Sequence, residues 1–167
     1  MSKYAKSIAR GKAAEERFIK LAEERGHRCE ATSRKDDIYR HTDYLVVVEG
    51  DHDWYVDVKA MKRINRSNTS AQDAEVWLEI RNVGGNNGWV YSPGYVAFEV
   101  GEGFIVVPKY DLALLIQEKV RHEFVKTAGD ALYRLYTRAG RQDVLTRVKR
   151  EDVEEVGELW KDNMGDD

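Results

Sequence analysis

Two carboxylates and one lysine occupy neighbouring β-rich runs in the first third of the chain. Asp57 and Lys59 are two residues apart in the run 54–60, and Asp43 stands near the start of the run 42–49. Side chains two apart in a strand share a face. Asp57 and Lys59 should therefore point the same way, while the valines beside them point into the core. The pattern predicts a polar face on which a carboxylate lies next to an ammonium.

The position of Asp43 depends on the turn between the two runs. The stretch 50–53, Gly-Asp-His-Asp, predicts a β-hairpin. A loop with an odd number of residues, such as 50–52, places Asp43 on the same face as Asp57 and Lys59, whereas an even loop places it on the opposite face. A site built from all three side chains requires the odd loop.

Such a trio suits a divalent cation and a phosphodiester. Two carboxylates a few ångströms apart repel each other, and a hard cation such as Mg²⁺ or Mn²⁺ relieves that cost. The expected ligands are Asp43, Asp57 and the backbone carbonyl of Val58, with water and a phosphate oxygen. The cation would polarise the phosphorus and lower the pKa of a bound water. Lys59 would orient that water or offset the charge that develops on the phosphate.

The net charge of −3 hides an uneven distribution. Residues 151–167 carry eight acidic side chains and one lysine, a net of −7. The other 150 residues hold 26 basic and 22 acidic side chains, a net of +4. A modestly basic body with an acidic end permits a phosphate-binding face. The composition thus admits a nucleic-acid partner without requiring one.

Cysteine and histidine usage narrows the kind of metal site. Cys29 is the only cysteine and the four histidines are scattered. An intrachain disulfide and a cysteine-based zinc site are excluded, and a histidine-rich site is disfavoured. Carboxylates should therefore hold any metal. The apolar runs are far shorter than the roughly 20 residues that cross a bilayer, and the basic start of the chain lacks the apolar stretch of a secretory signal. We expect no membrane partner and a cytoplasmic location.

Hydrophobic periodicity predicts one domain over residues 1–167, of the α/β (α+β) class, with a central mixed β-sheet flanked by helices. Residues 61–74 lack periodicity and predict a mobile loop. Helices are expected at 3–25, at 109–120 and, as an acidic helix within the C-terminal tail, at 151–161. Strands are expected at 27–31, 42–49, 54–60, 75–82, 89–91, 95–100 and 104–107, and, in the C-terminal third, at 132–138 and 143–148.

The run from Asp43 to Lys59 resembles the D…(D/E)xK signature of the PD-(D/E)xK nuclease superfamily. Asp57-Val58-Lys59 is the only (D/E)xK triplet in the chain, and it ends the second strand of the expected hairpin. The similarity covers residues 11–107, where the stretches 79–82 and 88–99 also resemble small members, including some from phage genomes. One position departs from the pattern, because Gly94 stands where an aspartate is expected.

The helix before the hairpin resembles the same superfamily. Its members place a glutamate in this helix between two glycines, and Gly11, Glu15 and Gly26 have that layout. By this resemblance Glu15 lies near the metal, with Glu16 as the competing choice.

The resemblance implies a restriction-endonuclease-like core and a metal-dependent DNA endonuclease. Asp43 and Asp57 would bind Mg²⁺ or Mn²⁺, and Lys59 would be the third catalytic group. DNA is the implied partner. Many members act as dimers, and a small domain that cuts two strands favours a homodimer.

Basic side chains near the expected site are candidates for contacts to the nucleic-acid backbone. A solvated loop is the alternative reading for them. These candidates are Arg34, Lys35, Lys62, Arg63 and Arg66.

Two other functions fit the same sequence. One is a catalytically inactive nucleic-acid-binding module of the same fold, although such a chain would usually have lost part of the trio. The other is an interaction or inhibitor protein whose acidic tail mimics DNA. Deletion of residues 151–167 is expected to separate them, because a mimic loses its partner and a nuclease keeps its metal site.

Overall fold

The computed structural model describes residues 2–33, 43–47, 52–65 and 70–162. Within these ranges the fold is mixed α and β, with three α-helices and two mixed sheets. The helices are α1 (Lys3–Glu24), α2 (Lys109–Lys119) and α3 (Arg150–Val156). The strands are β1 (Arg28–Ala31), β2 (Tyr44–Val47), β3 (Trp54–Lys59), β4 (Glu75–Arg81), β5 (Tyr95–Val100), β6 (Gly103–Pro108), β7 (Phe124–Val125), β8 (Leu135–Thr137), β9 (Val144–Lys149) and β10 (Glu158–Lys161). Short 3₁₀ turns lie at Trp89–Tyr91 and Ala128–Asp130.

The larger sheet has six strands in the order β1-β2-β3-β5-β6-β10. β3 and β5 run parallel, and every other neighbouring pair in this sheet is antiparallel. The smaller sheet has the order β4-β9-β8-β7, with β7 and β8 parallel. A mixed sheet flanked by helices is thus confirmed. The second sheet is an element that the hydrophobic pattern does not predict.

The six-stranded sheet separates two hydrophobic clusters. Along β6 alternate side chains enter opposite clusters: Phe104 packs on the side of α1, whereas Ile105 packs on the other side. β5 alternates in the same way, with Ala97 facing α1 and Phe98 facing the second cluster. That second cluster also receives side chains from α2, α3, β4 and β9. Strands buried on both faces read as near-continuous apolar runs, which is the pattern of residues 103–107.

Helix α1 follows its sequence closely. Ser2 caps it by accepting a hydrogen bond from the backbone N–H of Ala5 at 3.1 Å. Its fully buried face consists of the four residues that helical spacing predicts, Ala14, Phe18, Leu21 and Ala22. Gly26, with a φ of +87°, turns the chain toward β1. This helix covers one face of β3, on which Val56 and Val58 are buried.

The predicted strand at 89–91 is wrong, because this segment forms a 3₁₀ turn. The Tyr91 N–H donates to the Gly88 carbonyl and the Ser92 N–H donates to the Trp89 carbonyl, at 3.2 and 3.1 Å. Trp89 and its neighbour Val90 are both buried, which a turn allows and a strand exposed on one face does not. A run of three apolar residues cannot separate these alternatives by periodicity.

The predicted acidic helix at 151–161 is wrong in its second half. Helix α3 ends at Val156, and β10 then pairs with β6, placing Trp160 opposite Phe104. Gly157 makes this switch possible, since a Cβ there would lie 2.9 Å from the Val106 carbonyl oxygen. The segment is part of the core rather than a detachable tail. Deletion of 151–167 would therefore damage the fold and cannot test for a DNA mimic.

The described ends of the predicted mobile loop at 61–74 are fastened to the protein. The Met61 N–H donates to Glu99 at 3.3 Å, and the Gln72 side chain donates to the Lys62 carbonyl at 2.8 Å. The Trp77 indole N–H donates to the Arg63 carbonyl at 3.1 Å. The basic residues that leave β3 are thus held beside the smaller sheet.

Candidate functional site

Strand β3 presents Asp57 and Lys59 on the face opposite α1. In the parallel register with β5, Asp57 lies beside Val96 and Lys59 beside Phe98. Both partners belong to the cluster on the side of α2. The Nζ of Lys59 lies 4.9 Å from the centre of the Trp89 ring, within the range of a cation–π contact. The two polar side chains thus stand at the edge of an apolar layer.

Asp43 reaches the same place from the neighbouring strand. In the antiparallel register of β2 and β3, Tyr44 faces Val56, and one further step brings Asp43 level with Asp57. The Val58 N–H donates to the Asp43 carboxylate at 2.8 Å. Thr32 holds the Asp43 carbonyl, to which its N–H and its hydroxyl each donate at 3.0 Å. The register has the odd-loop parity that a shared site requires.

The register places the two aspartates side by side on neighbouring strands, close enough for the charge of one to act on the other. Burial and, after it, the negative charge of Asp57 raise the pKa of Asp43 to about 8, although the hydrogen bond from the Val58 N–H acts in the opposite direction. Glu15 adds a smaller repulsive contribution. A cation bound between the two carboxylates would oppose this rise in the pKa of Asp43.

Asp57 is almost completely enclosed. Its side chain is 5% exposed, and its Oδ2 atom lies 3.2 Å from the Lys59 ammonium and 3.9 Å from that of Lys109. Neither contact has hydrogen-bond geometry, and within the described chain this buried oxygen has no hydrogen-bond partner. A buried acceptor that is paired only by charge is costly, so this oxygen is suited to accept a ligand.

Lys109 is the residue that the sequence interpretation missed. It is the first residue of α2, its exposed fraction is 0%, and its Nζ donates to the Ser92 hydroxyl at 2.9 Å. Burial lowers its pKa to about 8, and the negative charge of Asp57 opposes that effect. One signal was available in the sequence. A lysine in the first turn opposes the helix dipole, which favours acidic residues there.

Glu15 lies at the edge of the pair of aspartates. Its charge acts on Asp43 and on Tyr44, and it shares a hydrogen bond with the Tyr44 hydroxyl. Burial and then the charge of Glu15 raise the pKa of Tyr44 to about 12. Glu16 is exposed. Between the two candidates in α1, the structure brings Glu15 to the site.

Two of the five predicted basic contacts are described, namely Lys62 and Arg63. Lys62 has an exposed surface, yet its ammonium is crowded by protein atoms and by the charge of Lys59, and both effects lower its pKa. Arg63 is half-buried. Arg34, Lys35 and Arg66 lie outside the described residues.

The donor set fits a cation held by few protein ligands. Asp43 and Asp57 offer facing carboxylates, one of which contains a buried oxygen without a hydrogen bond. Within the described ranges, no three or more His, Cys, Asp or Glu side chains form a ready cage. Such a pair suits Mg²⁺ or Mn²⁺, which retain water and take one or two carboxylates with substrate phosphates. The Val58 carbonyl remains a predicted third ligand.

The anchoring of Trp89 depends on β4. The Trp89 N–H donates to the Glu79 carboxylate at 3.3 Å, and the Gly88 N–H donates to the Ile80 carbonyl at 2.8 Å. The ring itself is 7% exposed and packs against Phe98. The buried ring therefore contacts the Lys59 ammonium and leaves little surface for stacking with a nucleobase.

Comparisons with protein-family models, with curated proteins and with solved structures found no match to this chain. No helix in the described ranges combines the length and apolar character needed to cross a membrane.

Proposed function

We propose that this chain is a metal-dependent DNA endonuclease that hydrolyses phosphodiester bonds. The observation that carries the proposal is the close approach of two carboxylates, half-buried Asp43 and buried Asp57, beside the ammonium of Lys59. Two neighbouring carboxylates, one of which raises the pKa of the other, repel each other when both are ionised. Such pairs are typical of sites that bind a cation or move a proton.

Each side chain has a role in this proposal. Asp43 and Asp57 hold Mg²⁺ or Mn²⁺, and the Val58 N–H fixes the Asp43 carboxylate at 2.8 Å. When bound, the cation supplies Lewis-acid polarisation of the phosphate and a more acidic water. Lys59, 25% exposed, extends toward solvent and offsets the negative charge that develops on the phosphate oxygens.

The surroundings support a restriction-endonuclease-like core and a DNA partner. α1 packs on one face of a mixed sheet whose adjacent β2 and β3 supply the carboxylates and the lysine. Lys62 and Arg63 continue from β3 beside the site. Positive side chains next to a phosphodiester site contact the backbone and fix its position without reading its sequence.

The test is cleavage of fluorescent single-stranded, duplex and four-way-junction DNA with Mg²⁺, with Mn²⁺ and with chelator. We expect metal-dependent cutting by the wild type and a loss of at least about a hundredfold in Asp57→Asn and Lys59→Met. Asp57→Asn removes a charged metal ligand, and Lys59→Met removes a positive charge that stabilises the transition state. The preferred substrate then identifies the structural class of DNA.

Matched controls separate the site from the general charge of the protein. Asp53→Asn changes an exposed aspartate just before β3, and Lys20→Met changes an exposed lysine on α1. Both should cut like the wild type. A wild type that cuts nothing with either metal, or a folded Asp57→Asn variant that cuts as well as the wild type, would overturn the proposal.

A further inference from the structure

Lys109 is a buried lysine whose amino group is held at the site. Its exposed fraction is 0%, and it lies between the Ser92 hydroxyl at 2.9 Å and the Asp57 Oδ2 atom at 3.9 Å. Its charge also acts on Asp43. Lys109 begins α2, and Leu112, Leu115 and Ile116 of that helix are buried in the core. The core therefore also holds the backbone of Lys109 in place.

Lys59 differs from Lys109 in this respect. Lys59 is nearer to Asp57, at 3.2 Å, but its side chain is 25% exposed. It can therefore turn toward a phosphate once another cation neutralises Asp57. Lys109 has no such freedom, so its amino group stays beside the carboxylates when Lys59 turns away.

The fixed position of Lys109 affects the total charge at the site. Asp43 and Asp57 contribute two negative charges when both are ionised, and the two lysines contribute two positive charges. A divalent cation that enters must displace Lys59 or share the site with it, and in either case it is repelled by Lys109. Charges a few ångströms apart interact strongly in a buried site.

We propose that Lys109 is a positioning residue of this site. Its fixed ammonium holds Asp57 in place before a metal binds, and it weakens the affinity of the two aspartates for a divalent cation. The proposal rests on the proposed function in one respect, the presence of a cation site at Asp43 and Asp57.

The first experiment measures Mn²⁺ binding to the substrate-free protein by calorimetry. Lys109→Met removes the charge and keeps an unbranched side chain, and we expect it to bind Mn²⁺ at least about tenfold more tightly than the wild type. Lys119→Met removes the same charge from the other end of α2, where Lys119 pairs with Asp152 at 2.9 Å. That control should bind like the wild type. Unchanged or weaker binding by Lys109→Met would overturn the effect on metal affinity.

The second experiment needs neither a metal nor activity. In chelator, the melting temperatures of the wild type, Asp57→Asn, Lys109→Met and the double variant form a double-mutant cycle. We expect Lys109→Met to lower the melting temperature in the wild-type background and not in the Asp57→Asn background. Equal losses in both backgrounds would mean that Lys109 only fills space.

The proposal can also be tested if Lys109→Met fails to fold. If Lys109→Met does not fold because it leaves Asp57 buried without its fixed partner, adding Asp57→Asn should restore folding. A double variant that remains unfolded would count against the proposal. A wild type that binds no Mn²⁺ would instead refute the proposed function, while the unfolding cycle still decides whether Lys109 positions Asp57.

Discussion

At the scale of single residues, the site contains two carboxylates, Asp43 and Asp57, that the surrounding side chains only partly stabilise. Asp43 accepts one backbone hydrogen bond from Val58, yet burial and the charge of Asp57 still raise its pKa to about 8. Asp57 faces two ammonium groups, yet its Oδ2 has no hydrogen bond from the described residues. A buried polar group without a hydrogen bond requires an explanation, and a bound cation would supply one here.

The raised pKa of Asp43 predicts how stability depends on pH without metal. Because the folded state binds the Asp43 proton more tightly than the unfolded state, stability should fall as pH rises from 5 to 8, by at most about 1.4 kcal/mol per pH unit. Asp43→Asn removes this titration and should flatten the dependence. Thermal unfolding in chelator across this range measures the effect.

Asp53→Asn is the matched control for that experiment, because Asp53 is exposed. Its melting temperature should follow the wild-type dependence on pH. If the Asp43→Asn curve runs parallel to the wild type instead, the proton of Asp43 does not distinguish the folded from the unfolded state.

At the scale of elements, the site depends on a close approach between β4 and the 3₁₀ turn at 89–91. A Cβ on Gly88 would lie 2.0 Å from the Glu79 carbonyl oxygen, so only glycine allows the chain to pass β4 here. The next residue, Trp89, packs beneath Lys59. The position of the catalytic lysine in our proposal is therefore coupled to a backbone contact in the other sheet.

Gly88→Ala should destabilise the protein by about 1–3 kcal/mol, because the added methyl group forces the backbone apart. It should also reduce cleavage by moving Trp89 and Lys59.

Gly11→Ala is expected to have the opposite effect on stability. It lies within α1 and its Cβ would meet nothing within 4 Å, so it should stabilise the helix by about 0.5–1 kcal/mol. Denaturant unfolding measures both changes, and equal stabilities of the two variants would contradict the steric argument.

At the scale of the whole molecule, the C-terminal segment completes the layer that holds α1 to the sheet. Trp160 stacks on Phe18 at a ring separation of 5.9 Å and is 5% exposed. Arg17 of α1 donates to Asp162, just beyond β10, and to the Gly101 carbonyl, each at 3.0 Å. The end of the described chain is thus tied to its first helix.

Trp160→Ala should lower the free energy of unfolding by about 3–5 kcal/mol, since it leaves a cavity between α1 and β6. Glu158→Ala, in the same strand, removes an exposed ion pair with Arg25 and should cost less than about 1 kcal/mol. Chemical denaturation compares the two. Similar small losses would mean that β10 contributes little to the core.

The sequence by itself determined which side chains share a face. Periodicity identified the buried residues of α1 and the valines of β3, because strand and helix geometry repeats over a few residues. The same rule placed Asp57 beside Lys59, and the hairpin left only the parity of the loop to decide the position of Asp43. These features depend on residues close in the chain.

Only the tertiary structure decided which distant residues surround that face. Lys109 reaches Asp57 because β5 lies between β3 and β6 and α2 starts where β6 ends. Trp89 reaches Lys59 because Gly88 passes close to β4. β10 joins the large sheet because Trp160 is buried against α1. Periodicity predicts which face of a segment is buried, but it does not predict which other segments pack against that face. Pairing between distant strands is set by the packing of the whole core.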